Sequence, residues 1–324
     1  MRKYTCPVYN FVSYNFNLTL CPLPFKLKII ETPRDAFQGI KHFIPTETKV
    51  QIINILLRAG FDTVEAGSYV SQKVIPQMAD TSQVLRGLDR TGSTSRVMVL
   101  VVNKRGAMRA VRLGTSNCQP PTADRRPPTI DDLLFPFSAS PTFLKRNLNA
   151  DTEKAKGIIQ DLLEVCDQHK KRLIVYLSMS FGNPYGDPWD PGIIEEYAGY
   201  LHGLGQRIIP LSDILGDVAP ETIRLVFSRV IKSFPDVEFG AHFHSLPGGE
   251  YSKIDAAWKA GVRRFDTVTG GFGGCPMAAD HMVSNLNTFA LVSYCEKNGI
   301  EHGLDLGTLR KAQLLMAEGI GHRA

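Results

Sequence analysis

Eight short runs of apolar, largely β-branched residues recur along this chain, each parted from the next by a helical pattern. They begin L-K-I-I-E-T at Leu27, D-T-V-E-A-G-S-Y at Asp62, R-V-M-V-L-V-V at Arg96 and L-L-F-P-F-S at Leu133. R-L-I-V-Y-L-S-M-S at Arg172, R-I-I-P-L-S-D-I at Arg207, E-F-G-A-H-F-H at Glu238 and R-R-F-D-T-V-T at Arg263 complete the set. Each is nearly continuous in apolar residues, as a strand covered on both faces must be. Between them, Ile223, Val226, Phe227, Val230 and Ile231 share one helical face. Thr46, after Pro45, is placed to cap a helix carrying Ile52, Ile53, Leu56 and Leu57 and stopping at Gly60, and Gly261 ends another after Trp258. The recurrence predicts an α/β fold, a (β/α)8 barrel over residues 27–300. A doubly wound open sheet is the rival, but no G-x-G-x-x-G follows an early strand.

Three stretches fall outside that rhythm. Residues 1–26 are aromatic and Asn-rich without an acidic residue, and are expected to form a poorly ordered extension. Residues 114–129 carry four prolines and read as an exposed insertion; residues 301–324 form a C-terminal segment. The net charge of +5 comes from scattered basic residues, which argues against nucleic acid as a partner. No run is apolar over the 18 residues or so that a membrane span needs. Six cysteines without a C-x-x-C pair suggest reduced thiols and a cytoplasmic location.

In a barrel of this kind the active site forms where strands end and the following loops begin. The expected ends hold Arg34 and Asp35 after the first strand, Glu65 on the second, Asp213 on the sixth, and His242 and His244 on the seventh. The loop after the eighth carries Cys275 within G-G-F-G-G-C-P. His242 and His244, two apart on a strand, leave the same face. With a carboxylate and an amide oxygen they suit a divalent cation, and oxygen-rich company favours Mg²⁺ or Mn²⁺, although two histidines and a carboxylate also suit Zn²⁺ or Fe²⁺. Cys275, set among glycines, is expected on a mobile loop that closes over substrate, its thiol a proton donor. The plainer readings are a salt bridge at Arg34–Asp35 and rim hydrogen bonds at Glu65 and Asp213.

Taken together, P-R-D-A-F-Q at Pro33, V-E-A-G-S-Y-V-S-Q-K-V-I-P-Q-M-A-D at Val64, F-G-N-P-Y-G-D-P at Phe181, A-H-F-H at Ala241 and G-F-G-G-C-P-M-A at Gly271 resemble the hydroxymethylglutaryl-CoA lyases. The resemblance spans about Leu27 to Ile300. It implies a metal-dependent retro-Claisen cleavage of 3-hydroxy-3-methylglutaryl-CoA to acetoacetate and acetyl-CoA, with no organic cofactor beyond the CoA of the substrate. It also implies that Asp35, His242, His244 and Asn285 ligate the cation, that Arg34 sits by the thioester carbonyl, that Cys275 is the loop thiol, and that Glu65 and Asp213 are supporting acids. The base is Asp35 or one of the histidines. By analogy with relatives a homodimer is expected.

Four positions depart from the commoner pattern. Ala36 stands where many members have glycine, Phe289 where an acidic residue is usual, Ser284 in place of glycine before the asparagine, and Ser245 where aspartate often follows the second histidine. They keep three rivals in view: a related acyl-CoA lyase or Claisen-type synthase of different side-chain specificity, a zinc hydrolase built on His242, His244 and Cys275, and a non-catalytic binding barrel.

Overall fold

The computed structural model describes residues 26–114, 129–273 and 283–320. Its strands are β1 (Lys28–Glu31), β2 (Thr63–Ser68), β3 (Arg96–Leu100), β4 (Asp132–Ser138), β5 (Arg172–Ser178), β6 (Ile208–Asp213), β7 (Glu238–Ser245), β8 (Arg264–Thr267) and β9 (Ser284–Asn285). The helices are α1 (Pro33–Gln38), α2 (Thr46–Leu56), α3 (Thr81–Arg86), α4 (Lys104–Val111), α5 (Pro141–Leu148) and α6 (Thr152–His169), then α7 (Pro191–Gly203), α8 (Pro220–Ser233), α9 (Glu250–Lys259), α10 (Thr288–Lys297) and α11 (Leu306–Ile320). β1 pairs with both β2 and β8, and β6 with β7, so eight parallel strands close on themselves. The expected (β/α)8 barrel is the fold. β9 runs antiparallel to the end of β7, placing Asn285 opposite His244.

The continuous apolar runs have a direct cause in this closure. Ile30, Met98, Leu100, Leu134, Ile174 and Tyr176 fill the barrel lumen. Their strand neighbours Ile29, Val97, Val99, Leu133, Phe135, Val175 and Leu177 face the helical layer. Side chains alternate between the two faces, and both faces are dry. On α8, Ile223, Val226, Phe227 and Val230 are buried as the spacing predicts, with Ile231 at the edge of the contact.

Charged groups gather where the strands begin. Asp132 receives both Arg96 and Arg172, each through two N–H groups at 2.6–2.8 Å. Nearby, Glu238 accepts from Lys28 and from Arg264. This end of a barrel serves stability, and the opposite end is left for chemistry.

Thr46 does not cap α2. Pro45 holds the cap position, and the Thr46 hydroxyl donates instead to Asp80 Oδ2 at 2.8 Å, because the loop after β2 brings that carboxylate against the helix. Of the C-terminal segment, α11 buries Leu309, Ala312 and Met316 in the common core, next to α2. Residues 1–25 of the expected extension, almost all of the Pro-rich insertion, and residues 274–282 with Cys275 lie outside the described residues.

Candidate active site

The chain turns directly from β1 into α1, with Pro33 at the first helical position, where its missing N–H costs nothing. That short helix carries Arg34 and Asp35 over the barrel mouth, where both are buried. Arg34 Nε and Nη2 donate to the two oxygens of Glu65 at 2.7 and 2.8 Å, a forked pair that fixes the guanidinium plane. Arg34 Nη1 donates to Asp35 Oδ1 and to Gln38 Oε1, each at 2.9 Å. Gln38, one turn further along α1, also donates from Nε2 to Asp35 Oδ1. Among the described residues, one N–H on Arg34 Nη2 is left over. Burial alone favours a neutral guanidine, but Glu65 and Asp35 outweigh it and keep Arg34 charged.

Three elements bring the expected cluster together. Asp35 Oδ2 lies 3.6 Å from His242 Nε2 and 4.0 Å from His244 Nε2. One ligand atom from each of the three residues falls within 4.8 Å of the others. These atoms are close yet too far apart for good hydrogen bonds, the spacing that a shared cation between them requires. The protonation states of His244 and Asp35 also fit. Burial, with His242 adding to it, pushes His244 down to about 4, so its imidazole is neutral, as a ligand must be. Burial would raise the Asp35 carboxyl, but Arg34 and then the two histidines hold it below the ordinary carboxylate range. Asn285 is buried beside His244, and its Nδ2 donates to the Phe272 carbonyl at 2.9 Å, which leaves its oxygen as the remaining ligand atom.

His242 has a partner that the sequence reading missed. Its Nδ1 lies 3.1 Å from Asp266 Oδ2 on β8. Burial would lower this imidazole, but Asp266, followed by Asp35 and Glu65, outweighs it and raises the pKa above the ordinary histidine value. A carboxylate behind Nδ1 fixes the ring and turns Nε2 toward the space it shares with Asp35 and His244. The signal lay in strand register, since His242 and Asp266 are direct partners across β7 and β8. Tyr176 on β5 was missed too; its ring packs edge-on against His242 with centroids 5.7 Å apart.

A cavity of about 290 Å³ opens at this end. Arg34, Asp35, Tyr176, His242 and His244 line one part of it, with hydroxyls from Ser178 and Ser212, while Val70, Leu100, Val102 and Leu134 line another. Asp213 is placed differently from the other expected acids. One of its oxygens accepts from Lys253 Nζ and the other from two loop N–H groups, so it supports the rim rather than the cavity wall. The segment leading to Cys275 passes close to the cluster. At Gly273, with φ at +74°, a Cβ would stand 2.8 Å from Ala36 Cα, so only glycine lets this segment pack on α1. Phe289 lies in the first turn of α10 and packs against the core.

A (β/α)8 barrel with two histidines of one strand meeting, at the C-terminal rim, a carboxylate from the helix that follows another belongs to the class of barrel enzymes that work with a bound divalent cation. A sequence model of the HMGL-like family matches residues 26–316, and the chain belongs to that family. The mouse cytoplasmic 3-hydroxy-3-methylglutaryl-CoA lyase is 30% identical over 291 residues, covering 90% of this chain and 80% of the mouse protein. A crystal structure of hydroxymethylglutaryl-CoA lyase from Pseudomonas aeruginosa superposes with a TM-score of 0.82 at 27% identity, covering 92% of this chain and 94% of that one. An HMG-CoA lyase from Acinetobacter baumannii, in complex with coenzyme A and 3-methylmalate, gives 0.80 at 28% identity, covering 92% of each chain.

Proposed function

We propose that this protein cleaves 3-hydroxy-3-methylglutaryl-CoA to acetoacetate and acetyl-CoA, with Mg²⁺ or Mn²⁺ bound by Asp35, His242, His244 and Asn285. The observation that carries the reading is the convergence of Asp35, His242 and His244 beside the Arg34–Glu65 fork at the cavity mouth. A divalent cation there supplies a Lewis acid, which lowers the pKa of a nearby hydroxyl and orients it.

The remaining work falls to side chains. The proton of the C3 hydroxyl goes to the Asp35 carboxylate, whose oxygens keep lone pairs to spare, because His242 Nε2 would be occupied as a ligand and its Nδ1 already faces Asp266. As the bond between C2 and C3 breaks, its electron pair moves to the acetyl-CoA fragment and acetoacetate is left with a ketone. The negative charge that develops on the thioester oxygen meets the remaining N–H of Arg34, which Glu65 already holds in place. Cys275, two residues beyond Gly273, delivers a proton to C2. Asp266 holds the His242 ring in place, and Asp213 supports the loop behind it. A reducing cytoplasm suits the buried free thiols Cys166 and Cys295. Among the described residues no helix is long and apolar enough to cross a membrane.

Incubation of the purified protein with 3-hydroxy-3-methylglutaryl-CoA and Mg²⁺ or Mn²⁺ is expected to release acetoacetate and acetyl-CoA in equal amounts. Absence of acetoacetate with either ion would remove the proposal.

A further inference from the structure

One buried cation at the barrel mouth has no part in the reaction above. Lys253, in the first turn of α9, is buried, and its Nζ donates to Asp213 Oδ2 at 2.7 Å and to the His244 carbonyl at 2.8 Å. Asp213 Oδ1 accepts from the N–H groups of Leu215 and Gly216, each at 3.1 Å. Gly216 lies against the same peptide. At φ +79°, a Cβ there would stand 3.5 Å from the His244 carbonyl carbon and 3.4 Å from Ser245 N. One ammonium therefore ties together the ends of β6 and β7 and the helix behind them.

His244 needs such a tie. The ladder between β6 and β7 ends at Phe243, and that between β7 and β8 ends at His242. His244 lies beyond both; two-residue β9 pairs with it on one side, and on the β6 side the next backbone bond comes only from Leu246 N to the Gly216 carbonyl at 3.3 Å. A strand end without its ladder lets the backbone pivot, and a ligand displaced by about 1 Å no longer meets its partners. We propose that Lys253 is a positioning residue for His244: its ammonium replaces the missing ladder bond and holds that imidazole, with Asn285 beside it, facing Asp35. This rests on the cation-binding reading of the cluster.

The competing account is that Lys253 merely neutralises a buried Asp213 and acts on stability alone. Two variants separate the accounts: Lys253→Met, and Asp213→Asn with Lys253→Met, the second leaving no unpaired buried charge should the first fail to fold. Mn²⁺ binding is measured by electron paramagnetic resonance well below the melting temperature, alongside imidazole ¹⁵N spectra of the metal-free protein, with His244 assigned from His244→Gln. The folded double variant is expected to bind Mn²⁺ roughly ten- to a hundredfold more weakly. Its His244 signals should shift or broaden while those of His242 hold. Wild-type affinity and unchanged His244 signals, with only a lower melting temperature, would overturn the proposal. Wild-type protein that takes up no Mn²⁺ would defeat the cation reading, and the metal-free spectra would then decide the role of Lys253 alone.

Discussion

Glu31, at the end of β1, has no exposed surface. It accepts from the Thr269 backbone N–H at 2.6 Å and from the hydroxyls of Thr288 at 2.9 Å and Thr267 at 3.5 Å. Burial pushes its carboxyl up from 4.5 to about 7, and these three donors only partly offset it. Between those values the folded protein keeps a proton that the unfolded chain has released, so stability falls as pH rises through the window. The difference between about 7 and 4.5, at about 1.36 kcal/mol per pH unit, gives a loss of about 3 kcal/mol. Above pH 7 nothing further is lost. Glu31→Gln keeps the volume and an acceptor for Thr269 but removes the titration. Urea unfolding at intervals from pH 4.5 to 8 should show wild-type protein losing about 3 kcal/mol that the variant keeps. Parallel stability curves for the two proteins would refute the reasoning.

Glu65→Gln removes the charge that fixes the Arg34 fork, and kcat for acetoacetate release should fall roughly a hundredfold or more, with Mn²⁺ affinity unchanged. Asp266→Asn removes the largest influence raising the His242 imidazole, so an NMR titration of the metal-free protein should show its protonation moving to lower pH; an unmoved titration would exclude the Asp266 partnership. Cys275→Ser should abolish most turnover and leave Mn²⁺ binding intact, and a variant with wild-type rates would show that proton delivery to C2 comes from elsewhere.

The barrel was legible because its strands are dry on both faces: Leu133, Leu134 and Phe135 go alternately to the helical layer and the lumen, yet all read as apolar. Asp35 and the His242–His244 pair were legible because a strand-end position and a spacing of two are local facts. What stayed hidden depends on closure. Asp266 becomes the partner of His242 only through the register of β7 with β8, across 24 residues of chain. Lys253 similarly reads as a polar position on a surface helix until the ends of β6 and β7 surround it. Asp213, read as an acid of the site, is drawn to the rim by that lysine, a contact between side chains 40 residues apart. Thr46 was misread for the same reason, since Asp80 reaches it from another loop.

Crystals soaked in Mn²⁺ and measured with anomalous diffraction test the central claim most directly. The account predicts one strong anomalous peak bounded by Asp35 Oδ2, His242 Nε2 and His244 Nε2, with the Asn285 side-chain oxygen as a further ligand. Manganese seated elsewhere, or no peak among these atoms at a concentration that supports turnover, would contradict it.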